Sequence, residues 1–131
     1  MNELSQEALY SLIYEAISFG DSLFELWLTI TFAAILAIFF SSDRIERFMR
    51  LLLVGLYSAS SVLLTGRWIV AMLHYVHYQE TILTSGYAAF PTPSIGQLLG
   101  VLHFVLFVLG SAATVYFMLT FGRDADGAGA D

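Results

Sequence analysis

A chain of 131 residues with 58% hydrophobic and only 12% charged residues is too apolar for an ordinary soluble domain of this size, and its mean hydropathy of +0.76 agrees. The 11 acidic residues outnumber 5 basic ones, all arginine, for a net charge of −6. That balance excludes a nucleic-acid partner and a polybasic lipid patch. The lack of cysteine excludes disulfides, zinc–thiolate sites, iron–sulfur clusters and thiolate nucleophiles.

In chain order, Glu7, Ser11, Glu15, Ser18, Ser22 and Glu25 fall at steps of three and four, one polar stripe that runs through Ser5–Phe19 and beyond it. The spacing predicts an amphipathic helix over about 5–19, lying on lipid or folded against the bundle. Its start is acidic and lacks a basic n-region, so it does not read as a cleavable signal peptide. Gly20-Asp21 is a plausible break, and Ser22 with Glu25 has capping-box spacing for a fresh helix. The stripe stays in phase across Gly20, so one long bent helix is the alternative.

Three apolar stretches follow, Leu23–Phe40, Leu51–Val76 and Ile95–Phe121, with only Glu25 and Arg67 charged inside them. Crossing a hydrocarbon layer of ~30 Å takes roughly 20 helical residues. The expected fold is an all-α integral membrane protein, one domain over 1–122, with spans at about 22–41, 45–77 and 94–121. Asp43 and Glu46 are set to cap the second span, and Ser94 with Gln97 the third. Ser85-Gly86, Pro91 and Pro93 mark the connection between them. The acidic tail 123–131 is expected to be disordered.

Arg44, Arg47 and Arg50 cluster in the first connection and Arg123 follows the third span. Arginine is retained on the cytoplasmic side. The expected topology has the N-terminus outside and the C-terminus in the cytoplasm, in a bacterial inner membrane. The same arginines can reach lipid phosphates.

Small residues mark helix-packing faces: Gly55, Ala59 and Gly66 in the second span, and Gly96, Gly100 and Gly110 in the third. They let backbones approach where lipid supplies no hydrophobic drive. The packing is either within one copy, between copies, or onto other membrane subunits.

Glu25 stands 16 residues from Ser41, and Arg67 17 residues from Arg50. At ~1.5 Å per residue, antiparallel spans would set them at equal depth, as an ion pair. Trp27 and Trp68 share that level, so both charges could instead simply reach headgroups. Ser60, Arg67 and His74 recur at sevens and could line a polar path. His74, His77 and Glu80 fall at i, i+3 and i+6, and His103 lies near the same level. Such groups can hold a transition metal, and paired histidines can hold haem. No cofactor is required by the pattern, and no phosphate loop or nucleophile–base motif is present.

These features point to a small non-catalytic membrane subunit that acts by helix–helix assembly, as a homo-oligomer or as part of a larger complex. The alternatives are an oligomeric channel or small transporter using Glu25, Arg67 and the Ser60–His74 face, and an electron-transfer subunit holding haem or quinone at His74 and His103.

Overall fold

The computed structural model describes residues 5–41, 45–88 and 92–122. Three helices, α1 (Gln6–Ser41), α2 (Arg47–Thr84) and α3 (Pro93–Thr120), make up the fold, with no strand among the described residues. All three are long and apolar enough to cross a membrane. The expected tail 123–131, Arg44 and the Asp43 cap lie outside the described residues.

The first correction concerns α1. The amphipathic segment and the first span are one helix of 36 residues, with no break at Gly20-Asp21. Its buried edge runs Leu9, Ile13, Gly20, Leu23, Trp27, Thr31 and Ile38, in steps of three, four and seven. One unbroken helical edge therefore faces the bundle. Gly20 is buried because α2 presses on it: a Cβ there would lie 2.9 Å from Met72 Cε. Glycine costs ~1 kcal/mol in helix propensity relative to alanine and here leaves room for the Met72 methyl. Ser22 caps nothing; its Oγ donates to Ser18 O at 3.0 Å within the helix.

The other boundaries also shift. α2 runs on to Thr84, well past 77, and ends where Gly86 adopts φ +78°. The Gly86 amide donates to Leu83 O and the Tyr87 amide to Ile82 O, the paired bonds of a glycine-terminated helix. At the other end Glu46 is the N-cap residue but makes no side-chain cap bond. In α3 the N-cap is Thr92, not Ser94, because Pro93 occupies the first turn. Proline suits that place, since its missing N–H would lack a helical partner anyway.

Packing occurs in three layers. Next to the α1–α2 connection, Ile38, Tyr57 and Met118 form a buried cluster. Here Arg50 Nη1 donates to Phe121 O at 2.8 Å, placing a cation on the carbonyl end of α3. The middle layer holds Leu23, Trp27, Leu64, Trp68 and Phe107. The far layer holds Leu9, Ile13, Tyr75 and Ile82, from α1 and α2 alone. α2 is thus antiparallel to both neighbours. α1 and α2 form the main hairpin, and the end of that hairpin stands clear of α3. Tyr10 of α1 closes the far end by donating its hydroxyl hydrogen to Ala88 O.

In the middle layer Trp27 lies against Gly110: a Cβ there would sit 2.6 Å from the indole ring. Nothing lies within 4 Å of the equivalent position at Gly55. In the detergent-dispersed monomer, Gly110→Val should therefore cost roughly 1–3 kcal/mol by overpacking. Gly55→Val should stay within about 0.5 kcal/mol. SDS-titration unfolding followed by tryptophan fluorescence measures both.

Candidate functional site

Two polar arrangements stand out in an otherwise apolar bundle. The first is a hydroxyl cluster between the middle layer and the arginine end. Thr31 Oγ1 and Tyr57 Oη are 2.9 Å apart, and both residues are buried. Trp27 Nε1 donates to Ser111 Oγ at 3.0 Å. Thr114 Oγ1 donates back to Gly110 O at 2.8 Å. Ser61, Ser111 and Thr114 gather around the same tyrosine. Ser61 Oγ is buried and has no hydrogen-bond partner among the described residues. Among the described residues no charged side chain is bonded to these hydroxyls. The cluster links α1, α2 and α3 and bears on their mutual rotation.

The second is a groove at the far end from Arg50. Its inner part, about 120 Å³ and partly open to the outside, is lined by the exposed Asp21 of α1, by Trp68, Met72 and Tyr75 of α2, and by Gly100 and His103 of α3. It continues between α2 and α3 into a more open section of about 390 Å³ that reaches Val101 and Phe104. Gly96 is already covered by the Tyr75 ring, whereas an added Cβ at Gly100 meets nothing within 4 Å. Tyr75 Oη in turn accepts from Gln79 Nε2 at 2.9 Å.

His103 is held tightly. Its ring stacks on Trp68, centroids 6.1 Å apart at 19°, and meets Phe24 edge-on at 4.8 Å. Nδ1 lies 2.8 Å from Leu99 O. A carbonyl only accepts, so Nδ1 carries the hydrogen and Nε2 of the neutral ring keeps a lone pair.

The remaining candidates are scattered. Arg67 and Glu25 are both exposed. The Arg67 guanidinium lies over the Phe19 ring, 5.5 Å from its centroid, and among the described residues no ion pair joins it to Glu25. The equal-depth argument ignored azimuth: the Glu25 side of α1 belongs to the polar stripe, opposite the buried edge. Ser60 is half-buried and His74 exposed, so the Ser60–Arg67–His74 face lies on a flank of α2, turned from the core. His74 Nδ1 is bonded to Val70 O at 2.9 Å, and the His77 ring rests near Tyr78, centroids 5.9 Å apart. Glu80 is exposed. Among the described residues no three His, Cys, Asp or Glu side chains converge as a metal would require. His74 does not line the groove that His103 lines.

The small residues divide by direction. Gly96 and Gly110 receive side chains from neighbouring helices, while Gly55, Gly66 and Gly100 receive none. Gly55, Ala59 and Gly66 are all exposed. They lie about half a turn from the α2 core residues Tyr57, Ser61, Leu64 and Trp68.

Sequence reasoning missed Asp21, Tyr57 and Ser111. A signal for the groove existed: Asp21, Trp68 and His103 stand 20, 18 and 18 residues from Ser41, Arg50 and Phe121. A comparison with family models, curated proteins and solved structures finds no match to this chain. What the fold defines is a class: a three-helix bundle whose helices are long and apolar enough to span a membrane.

The Arg67 contact yields a test by double-mutant cycles. Phe19→Ala and Arg67→Ala should couple by ~0.5–1 kcal/mol, the worth of an exposed cation–π contact. Glu25→Ala and Arg67→Ala should be additive within ~0.3–0.5 kcal/mol. SDS-titration midpoints of the four-member sets decide between the two partners.

Proposed function

We propose that this chain is a small, non-enzymatic integral membrane subunit that works by helix–helix assembly through the outward face of α2. The observation that carries the reading is the open stripe of Gly55, Ala59 and Gly66 on the side of α2 opposite its buried edge. Lipid-facing helix surfaces have no need of small residues. Small residues spaced along one face let another backbone approach, which is how helices associate in lipid.

The membrane placement follows from length. Counting roughly 20 residues from Arg50 puts the far boundary near Trp68–Met72, level with Asp21 and His103. α1 and α2, at 36 and 38 residues, then project beyond it by roughly 15 residues, or ~20 Å. The Glu7–Ser18 stripe faces water on that projection, which accounts for its polarity. Arginine retention puts the Arg47–Arg50 end in the cytoplasm, and a bacterial inner membrane suits the pattern.

Assembly is preferred to the alternatives for stated reasons. A channel along Ser60, Arg67 and His74 needs a second copy to close it, so it presupposes assembly. A haem between His74 and His103 needs both histidines in one cavity, and they do not share one.

The test exploits the absence of native cysteine. Single cysteines at Ala59 and Gly66 are oxidised in host membranes, with Leu109→Cys on exposed α3 as control. When Cys occupies the stripe, cross-linked product should form, either at twice the chain mass or joined to another subunit that carries a cysteine. Leu109→Cys should stay monomeric. Equal yields at all three positions, or none at the stripe, would refute assembly through α2.

A further inference from the structure

We propose that the groove between α2 and α3 holds one bilayer lipid with a primary-ammonium head, its acyl chain lying along Gly100 and its head beside Asp21. The inference rests on the membrane placement above but not on assembly.

Shape supplies the first argument. The groove has a narrower, partly open inner part and a wider, more open continuation toward Val101 and Phe104. A bound molecule can therefore have its tail against apolar side chains and its polar end held among all three helices. Gly96 and Gly100 are not equivalent there. The Tyr75 ring covers Gly96, and Gly100 remains an uncovered floor. A side chain at 100 would fill space that no described residue now occupies.

Chemistry supplies the second. Asp21 and His103 are the ionisable groups lining the inner part, apart from the tyrosine phenol. Asp21 presents a carboxylate. His103, with Nδ1 bonded to Leu99 O, offers Nε2 as a lone pair. The carboxylate only accepts, and Nε2 accepts whenever the ring is neutral, so a donating head suits both. No arginine lines either part, which leaves an anionic head without a partner. A primary ammonium supplies three donors and the opposite charge. An uncharged hydroxyl head would satisfy one acceptor and bring no opposite charge to the exposed Asp21 carboxylate. A second copy's helix would bring a stripe of apolar side chains, with nothing for Asp21.

The experiment is native mass spectrometry of the full chain released from nanodiscs of equal phosphatidylethanolamine and phosphatidylglycerol. The wild type should retain one lipid per chain. Phosphatidylethanolamine should be favoured roughly tenfold, the scale of one charge-assisted hydrogen bond screened at an interface. Asp21→Asn should bring the two lipids to parity while a lipid is still retained. Gly100→Leu should abolish retention, and Ala113→Leu, equally bulky but on an exposed part of α3, should leave it unchanged. Retention in the bulk ratio by the wild type overturns the proposal, as does a Gly100→Leu chain that binds normally. A lipid-free dimer lost only in Gly100→Leu assigns the groove to a second copy and also overturns it. Because lipid is counted per chain, loss of the α2-mediated assembly would not mimic any of these results.

Discussion

The seating of Trp27 on Gly110 is the contact on which the rest of this bundle depends. A helix in lipid gains little by exchanging lipid contacts for protein contacts, so close fit and hydrogen bonds must hold spans together. At this point both act at once. The glycine lets the indole ring reach the α3 backbone, and Trp27 Nε1 then finds Ser111 Oγ one residue further on. That contact sets the rotation of α3 relative to α1. With rotation fixed, Phe107 enters the middle layer and Thr114 comes beside Tyr57. Neither would face inward if α3 were turned by one residue, about 100°.

The same fit explains why α3 is the most weakly buried helix yet still ordered in place. Only Phe107, Thr114 and Met118 are buried along its 28 residues. They fall at intervals of seven and four, a narrow seam. The seam is anchored at its arginine end by Arg50 bonded to Phe121 O, and at its far end by Tyr75 against Gly96. Between these anchors no described side chain covers Gly100, and the groove runs there.

Helix number, helix type and approximate limits were legible in the sequence because runs of apolar residues and their lengths carry that information directly. The long α1 was half legible. The polar stripe stayed in phase across Gly20, which a continuous helix requires, but glycine beside aspartate also resembles a break. Only the position of Met72 on the opposing helix resolves the ambiguity, and that is a tertiary fact. The role of each small residue was less legible still. Gly55 and Gly110 look alike in sequence, and what separates them is the Trp27 ring across the interface. The Glu25–Arg67 pairing failed for a related reason. Counting residues gives depth along the axis and says nothing about which neighbour a side chain meets around it.

The buried hydroxyls show what could have been found and was not. Tyr57 and Ser61 are four apart on α2, and Ser111 and Thr114 three apart on α3. Each pair is polar, helix-spaced and set within an apolar run. In hydrocarbon a hydroxyl that meets another hydroxyl is far better placed than one facing acyl chains. Two such pairs at matching depth on sequential helices therefore specify a facing direction. The titratable residues, by contrast, mostly mark the surface: Glu25, Arg67, His74, His77 and Glu80 are all exposed. His103 departs from that pattern. It is half-buried, with Nδ1 bonded to its own helix and its ring stacked against Trp68. It is thereby the one histidine of the chain set against the aromatic middle layer, where α1, α2 and α3 meet.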